Sequence, residues 1–334
     1  MDPVLVEVTR GSIVESAHRG AAVVLDSDGK VVFQAGDIDQ AVYPRSAVKA
    51  LLALPLVESG AADRLGLSEA EIALACSSHS GEAVHADTAA AMLAKAGRDV
   101  GCLECGTHWP LNEAAARALA AAGREPSALH NNCSGKHSGF VCLACASGDD
   151  PAGYVRPDHP TMRAVTAALA SMTGATLDER NRAVDGCSIP TYAIPLRALA
   201  LGFARLGSGR GMDATRAAAA ARIRAAVAAN PMMVAGTGRF DTRLMTALGA
   251  RVFCKSGAEG VFCAAVPELG IGVAVKCDDG AGRAAEVATA ALVTRFLPTN
   301  GAAQAVLGSL AAPVLTNWNG IHVGDIRPAA ALAA

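Results

Sequence analysis

Residues 21–33 read AAVVLDSDGKVVF, which is two short apolar runs joined by a polar link containing Asp28-Gly29. Asp-Gly between β-rich runs is a strong hairpin signal, because glycine adopts the positive φ that a tight hairpin turn needs. The β-rich runs Val4–Val8 and Ile13–Ala17 precede this segment. The chain is therefore predicted to open as an antiparallel meander, and not as a nucleotide-binding βαβ unit.

A long helical stretch follows the meander, and strands return near the other end. The predicted helices are Ser68–Ala73, Ala83–Ala96, Asn112–Ala122, Lys136–Ala146, Pro160–Thr173, Thr191–Leu206 and Asp213–Ala229. The later elements are strands at Arg251–Lys255, Gly260–Val266 and Gly270–Val275, a helix at Ala281–Phe296, and a strand-like segment around Pro313–Ile326. Residues 299–312 between the last two have no firm pattern.

This order of elements predicts an α+β fold. The antiparallel sheet is expected to form from both chain ends, about residues 1–45 and 250–330, with a helical lobe at about 46–249, all within one 334-residue domain. A cleft between the two parts is the expected place for a site.

Composition and charge exclude several classes of protein. The formal net charge is -2, and Lys and Arg are scattered, so a nucleic-acid partner is not expected. The sequence has neither a signal-like start nor an apolar run of membrane-spanning length, which favours a cytoplasmic enzyme without a membrane partner. In such a chain the 10 cysteines are expected to be free, structural or metal-binding thiols.

Ser46 and Lys49 begin a segment, Ser46–Val57, that is apolar around almost its whole circumference, as in a buried helix. Positions i and i+3 share a helix face, so a neutral Lys49 amine could take the proton of the Ser46 hydroxyl. Desolvation, or a nearby cation, would lower a lysine pKa enough for this role. The alternative is a helix-capping serine followed by a solvated lysine.

Lys255-Ser256-Gly257 ends a predicted strand near the other end of the chain. Serine β-lactamases and penicillin-binding proteins place a Lys-Thr-Gly or Lys-Ser-Gly triplet there, facing the serine of their Ser-x-x-Lys motif. Lys255 would then bind a substrate carboxylate, and the strand edge would contribute to an oxyanion site. A plain strand-terminal lysine is the alternative.

Two polar loops lie between these motifs. The first, Cys76–Glu82, carries hydroxyls, an imidazole and a carboxylate that can bind a small polar substrate, although helix capping by Ser80 and Glu82 is an alternative. The second is His130–Gly139. For a free amino acid, the candidate contacts in and near these loops are His79, Glu82 and Asn132, together with Lys255.

Cys133 and Cys187 are two soft donors that could complete a zinc site with a neutral Lys136 amine. Because C-x-x-K is not a recognised zinc spacing, two buried thiols are the alternative.

Five motifs, in this order, resemble the rhizobial-type, or class 3, L-asparaginase family: Tyr43–Lys49, Cys76–Glu82, His130–Gly139, Asp185–Pro190 and Phe253–Gly260. The resemblance runs from about Val4 to Pro328. It implies a fold like that of serine β-lactamases and glutaminases, a homodimer, and hydrolysis of L-asparagine to L-aspartate and ammonia.

The resemblance also implies roles for individual residues. Ser46 would be the nucleophile and Lys49 its base. Ser78 would form a second serine-lysine pair with Lys255, although Ser77 and Ser80 lie in the same loop. Arg45, next to the nucleophile, would order the substrate site.

The resemblance further implies a zinc ion near the site. Its ligands would be Cys133, Lys136 and Cys187, with Asp185 and His137 hydrogen-bonded around them. The expected reaction is attack of Ser46 on the side-chain amide, followed by hydrolysis of the acyl-enzyme. The rival functions are a glutaminase or β-lactam hydrolase, or a non-catalytic zinc or amino-acid binding protein.

Overall fold

The computed structural model describes residues 1–333. Its chain divides into two compact units. A sheet unit comprises Met1–Ala47, Ala193–Gly211 and the chain from Arg243 onward, and a helical unit comprises Val48–Tyr192 and Met212–Thr242. No helix in the described part of the chain combines the length and apolar character needed to cross a membrane.

Strands lie mainly toward the two chain ends, and helices lie mainly between them. The strands are β1 Val4–Arg10, β2 Ile13–Asp26, β3 Val31–Ala35, β4 Ala41–Val42, β5 Arg182–Val184, β6 Pro190–Tyr192, β7 Ile194–Pro195, β8 Phe253–Ser256, β9 Val261–Val266, β10 Ile271–Cys277, β11 Val314–Thr316 and β12 His322–Pro328. The helices are α1 Lys49–Leu52, α2 Leu54–Glu58, α3 Ala61–Arg64, α4 Glu69–Ala75, α5 Ala83–Lys95, α6 Glu113–Ala121, α7 Ser134–Ser147, α8 Pro160–Thr173, α9 Leu196–Ser208, α10 Ala214–Ala229, α11 Pro231–Val234, α12 Phe240–Leu248, α13 Gly282–Phe296, α14 Gly301–Ala311 and α15 Ala330–Ala333.

The sheet unit is built on eight strands in the order β11-β12-β1-β2-β10-β9-β8, with β3 paired to β2. Each of these pairings is antiparallel. The first strand pairs with the last, with Val6 opposite Pro328 and Val8 opposite Ile326. The predicted α+β class, with an antiparallel sheet formed by both chain ends, is therefore confirmed.

The centre of the sheet is buried on both faces. Successive residues of β9 are all buried, and both α9 and α13 pack on β9 and β10. Gly272 permits the close approach of α9, because a Cβ at this position would lie 2.0 Å from the Ala200 carbonyl oxygen.

The sequence pattern placed helix α9, predicted at Thr191–Leu206, in the helical lobe. It instead begins at Leu196, after short strands containing Pro190 and Pro195, and packs on the sheet.

Other segments also differ from their predictions. The segment expected as one helix from Ser46 to Val57 is a 3-10 helix, Arg45–Val48, followed by α1 and α2. The interruption at Ala53 lies where Pro55, which lacks an N–H, cannot continue the helical hydrogen bonds. Helix α14 forms within the segment 299–312, which has no firm sequence pattern. The pattern is weak because this helix buries only Leu307 and Leu310.

Candidate active site

Ser46 lies in the 3-10 helix that leads directly into α1, where Lys49 is the first residue. Residues i and i+3 of a 3-10 helix eclipse one another, so this backbone suits a pair three positions apart. Lys49 is 1% exposed, which excludes the solvated-lysine alternative. Arg45 has a φ of 50°, a left-handed conformation that is rare outside glycine.

Backbone strain is concentrated beside the predicted motifs. Among residues 1–333, the non-glycine residues with positive φ are Arg45, Ser188 and Glu259. Arg45 adjoins Ser46, Ser188 adjoins Cys187, and Glu259 lies two residues after Gly257. Each such residue costs about 1–3 kcal/mol, and strain of this kind clusters at functional sites.

Within the sheet unit, the Lys255–Gly257 triplet lies against the segment that carries Ser46. A Cβ on Gly257 would stand 2.6 Å from the Pro44 carbonyl oxygen and 3.2 Å from the Ala47 Cβ. Lys255 is fully buried, and its Nζ donates to the Ser256 carbonyl oxygen at 2.8 Å. The glycine therefore lets the end of β8 lie close to the Pro44 carbonyl oxygen and the Ala47 side chain, on either side of Ser46.

Within the helical unit, two lysines and two cysteines form a buried cluster. Lys49 Nζ donates to Cys133 Sγ at 3.1 Å, and Lys136 Nζ donates to Cys187 Sγ at 2.9 Å. The two cysteine side chains are hydrogen-bonded to each other. Each of the four residues is at most 5% exposed. The structure thus brings together Lys49 and the three residues expected to bind zinc.

The charges in this cluster compensate one another. A hydrogen bond from Cys187, helped by the nearby Lys136 and Lys49 ammonium groups, holds the pKa of Cys133 well below its usual value. Burial would lower the pKa of Lys136, but the neighbouring Cys133 and Cys187 sulfur atoms raise it above its usual value. Burial is the largest effect on Lys49 and lowers its pKa, although Cys133 opposes this. A lowered pKa is what a general base of the lysine type requires.

The donor set at the cluster suits a zinc ion once Lys136 and Cys187 have lost their protons, since two sulfur atoms and one amine nitrogen converge there. Within residues 1–333, no group of three or more His, Cys, Asp or Glu side chains is arranged to hold a metal. A zinc site at this cluster would therefore need the Lys136 amine as its third protein ligand, beside Cys133 and Cys187. His137, expected around the ligands, is hydrogen-bonded through Nδ1 to Tyr154 Oη at 2.6 Å, and Asp185 acts electrostatically on Lys136.

Ser78 lies in the loop after α4 and is 9% exposed. Asn132 Nδ2 donates to Ser78 Oγ at 3.4 Å, and the Ser78 N–H donates to the Val234 carbonyl oxygen at 2.9 Å. Ser77 and Ser80 are more deeply buried, at 0% and 3% exposure. Of the three serines, Ser78 is the most exposed and lies beside Asn132, another predicted contact.

His79 is completely buried, and both ring nitrogens have partners inside the helical unit. The Gly81 N–H donates to Nδ1 at 3.1 Å, so the proton of a neutral ring lies on Nε2. Nε2 is 2.8 Å from Ser134 Oγ, which itself donates to the Leu129 carbonyl oxygen. Burial lowers the pKa of His79 well below its usual value. These contacts suit a neutral residue that positions the loop.

Glu82 is hydrogen-bonded to Thr237, in a segment, Val234–Thr237, that belongs to none of the predicted motifs. Its carboxylate accepts from the Ser80 hydroxyl at 2.7 Å, and from the Thr237 N–H and hydroxyl at 2.8 and 2.6 Å. At Gly236 a Cβ would lie 1.9 Å from Ser80 Oγ. The Gly236-Thr237-Gly238 triplet marks a turn in the sequence, but nothing in it indicates which loop it contacts.

Comparisons with known proteins place these motifs in a family. No curated protein sequence matches the chain. Among solved structures, a β-lactamase from Mycobacterium bovis is 14% identical with a TM-score of 0.41, over 84% of this chain and 95% of that one. A protein named Mglu is 16% identical with a TM-score of 0.39, over 85% of this chain and 69% of that one. The sequence model described as L-asparaginase II matches residues 6–328, nearly the whole chain, so this protein belongs to the L-asparaginase II family.

Proposed function

We propose that this protein hydrolyses L-asparagine to L-aspartate and ammonia through an acyl-enzyme on Ser46. Family membership supports an asparaginase-like hydrolase. The observation that carries the serine mechanism is the contact of Gly257 with Pro44 and Ala47, which holds the Lys255–Gly257 triplet against the segment bearing Ser46. A Ser-x-x-Lys motif together with a Lys-Ser-Gly triplet suits nucleophilic acyl transfer.

The proposed reaction has two steps. Ser46 Oγ attacks the side-chain amide carbon of asparagine while its proton passes to Lys49 Nζ. The C–N bond then breaks, and the departing nitrogen takes up a proton and leaves as ammonia. Water subsequently attacks the Ser46 ester, releasing aspartate and restoring the serine hydroxyl.

The remaining predicted residues would bind or position the substrate. We assign Arg45, Lys255 and Asn132 to the charged and polar ends of the amino acid, and Ser78 to proton transfer with Lys255. His79 and Glu82 would act as positioning residues, since both are engaged with protein groups in the helical unit.

We further propose that Cys133, Lys136 and Cys187 hold a zinc ion. When bound, the ion would supply a Lewis acid close to Lys49. Metal content measured by mass spectrometry is expected to be about one zinc per chain in the wild type. It should fall close to zero in Cys187→Ala and remain unchanged in Cys277→Ala, a buried thiol of the sheet unit. Retention of zinc by Cys187→Ala would contradict the assignment.

Ammonia release from L-asparagine, L-glutamine and a chromogenic β-lactam would test the proposed activity, with β-lactam cleavage followed by absorbance. We expect asparagine to be the preferred substrate, and Ser46→Ala to lower kcat by about 10³-fold or more. Ser12→Ala, an exposed serine in the turn between β1 and β2, is the matched control and should leave kcat unchanged. A folded Ser46→Ala protein with wild-type turnover would refute the mechanism, and preference for glutamine or the β-lactam would refute the substrate.

A further inference from the structure

A cavity of about 280 Å³ lies within the helical unit, against α5, α6 and the turn Ala128–His130. Most of its lining is apolar and includes Ala86, Leu119 and Leu129. Ligand sites for drug-sized molecules usually measure roughly 300–1,000 Å³. The α5–α6 cavity, as we call it, is therefore of a size for a smaller molecule, such as a single amino acid.

His130 supplies an unused hydrogen-bond donor in this cavity. The Ser127 N–H donates to His130 Nδ1 at 3.0 Å, so the proton of the neutral ring lies on Nε2. Nε2 has no hydrogen-bond partner within residues 1–333, although His130 is only 8% exposed. Nε2 retains some solvent access and His130 lines the cavity, so its N–H is available to a ligand acceptor.

Two charged side chains of opposite sign line the same cavity. Asp87 on α5 and Arg124 after α6 are both exposed, and neither forms an ion pair within the described chain. Both lie near His130: burial lowers the pKa of His130, Arg124 adds to this effect, and Asp87 opposes it. The cavity therefore presents a cation, an anion and an N–H donor beside an apolar wall.

We propose that the α5–α6 cavity binds a free α-amino acid with a small aliphatic side chain, such as leucine. Its carboxylate would accept from His130 Nε2–H and pair with Arg124, and its ammonium would pair with Asp87. The aliphatic side chain would pack on Ala86, Leu119 and Leu129. This site is separate from the one proposed for asparagine, since of the loop Cys76–Glu82 only Gly81 lines the cavity.

Calorimetric titration of the full chain with L-leucine tests this proposal. Two truncated probes, 4-methylpentanoate without the ammonium and isopentylamine without the carboxylate, should bind more weakly than leucine. His130→Asn keeps an acceptor for the Ser127 N–H but removes the Nε2 donor, and should raise Kd about tenfold or more. Arg124→Met removes an exposed charge and should raise Kd about threefold.

Controls separate this site from the rest of the protein. Arg117→Met alters another exposed arginine, on α6, which pairs with Glu113 and does not line the cavity, and should leave Kd unchanged. Ser46→Ala should also bind leucine normally, which keeps this test independent of the proposed asparaginase activity. The proposal would be overturned if the wild type showed no saturable leucine binding. It would also be overturned if His130→Asn and Arg124→Met both bound leucine with the wild-type Kd. Loss of leucine binding in Ser46→Ala would do so too.

Discussion

Replacing Gly257 with alanine tests whether the Lys255–Gly257 triplet positions the segment that carries Ser46, the proposed nucleophile. The new Cβ would stand 2.6 Å from the Pro44 carbonyl oxygen, and real Cβ atoms essentially never approach closer than 3.0 Å. The obstructing atom belongs to the backbone, so the end of β8 or the Pro44–Ala47 segment must move by at least about 0.4 Å. A displacement of about 1 Å can cost 10²-fold in rate, so we expect kcat to fall by roughly tenfold. Overpacking should also lower the free energy of unfolding by about 1–3 kcal/mol.

The assay is ammonia release at saturating L-asparagine, with thermal denaturation measured on the same samples. The matched control is Gly282→Ala at the start of α13, because a Cβ there meets nothing within 4 Å and the backbone needs no positive φ. We expect Gly282→Ala to match the wild type in both measurements. If Gly257→Ala also kept wild-type kcat, the triplet would not position Ser46 and the reasoning would fail.

Three further results are expected from the packing and from the shifted pKa values. Gly272→Ala forces a Cβ to within 2.0 Å of the Ala200 carbonyl oxygen, and should abolish soluble expression or lower Tm sharply in a thermal melt. Glu71→Gln should lower the free energy of unfolding, measured in urea at pH 7, by about 1–2 kcal/mol. Burial alone would raise the pKa of Glu71, but hydrogen bonds from Lys95 and Ser68 lower it below its usual value. The stability difference between the wild type and Glu71→Gln should therefore shrink as the pH falls toward that lowered pKa. Burial lowers the pKa of His79, so only the unfolded chain takes up its proton below about pH 6.5, and stability should fall there by up to about 1.4 kcal/mol per pH unit. A His79→Asn variant whose stability falls equally steeply would contradict this assignment.

Much of the fold could be predicted because local patterns decided it. Asp28-Gly29 between apolar runs predicted the β2–β3 hairpin, and α8 was predicted with the bounds observed, Pro160–Thr173. The two β-rich runs Ile13–Ala17 and Ala21–Leu25 instead form the single strand β2. The intervening His18, Arg19 and Gly20 carry no strong strand signal, so pairing with β1 and β10 decides their conformation.

The candidate site was less predictable because its contacts join distant parts of the chain. Sequence indicated Lys49 and Cys133 as separate candidates, in different motifs, but not the hydrogen bond between them. The same holds for Glu82 and Thr237, whose segments are brought together by the packing of α4 against both α5 and α11. A local pattern identifies residues capable of chemistry, whereas their partners depend on tertiary packing.

The left-handed backbone at Arg45, Ser188 and Glu259 has a consequence for engineering this enzyme. Glycine adopts such a conformation without the Cβ clash, so replacing each of these residues with glycine would relieve local backbone strain. Replacements intended to raise the melting temperature should therefore be directed elsewhere, because relaxing these three positions also loosens the chain beside Ser46, Cys187 and Gly257. Thermal resistance and catalytic rate are expected to change in opposite directions at these places, and together at ordinary surface positions.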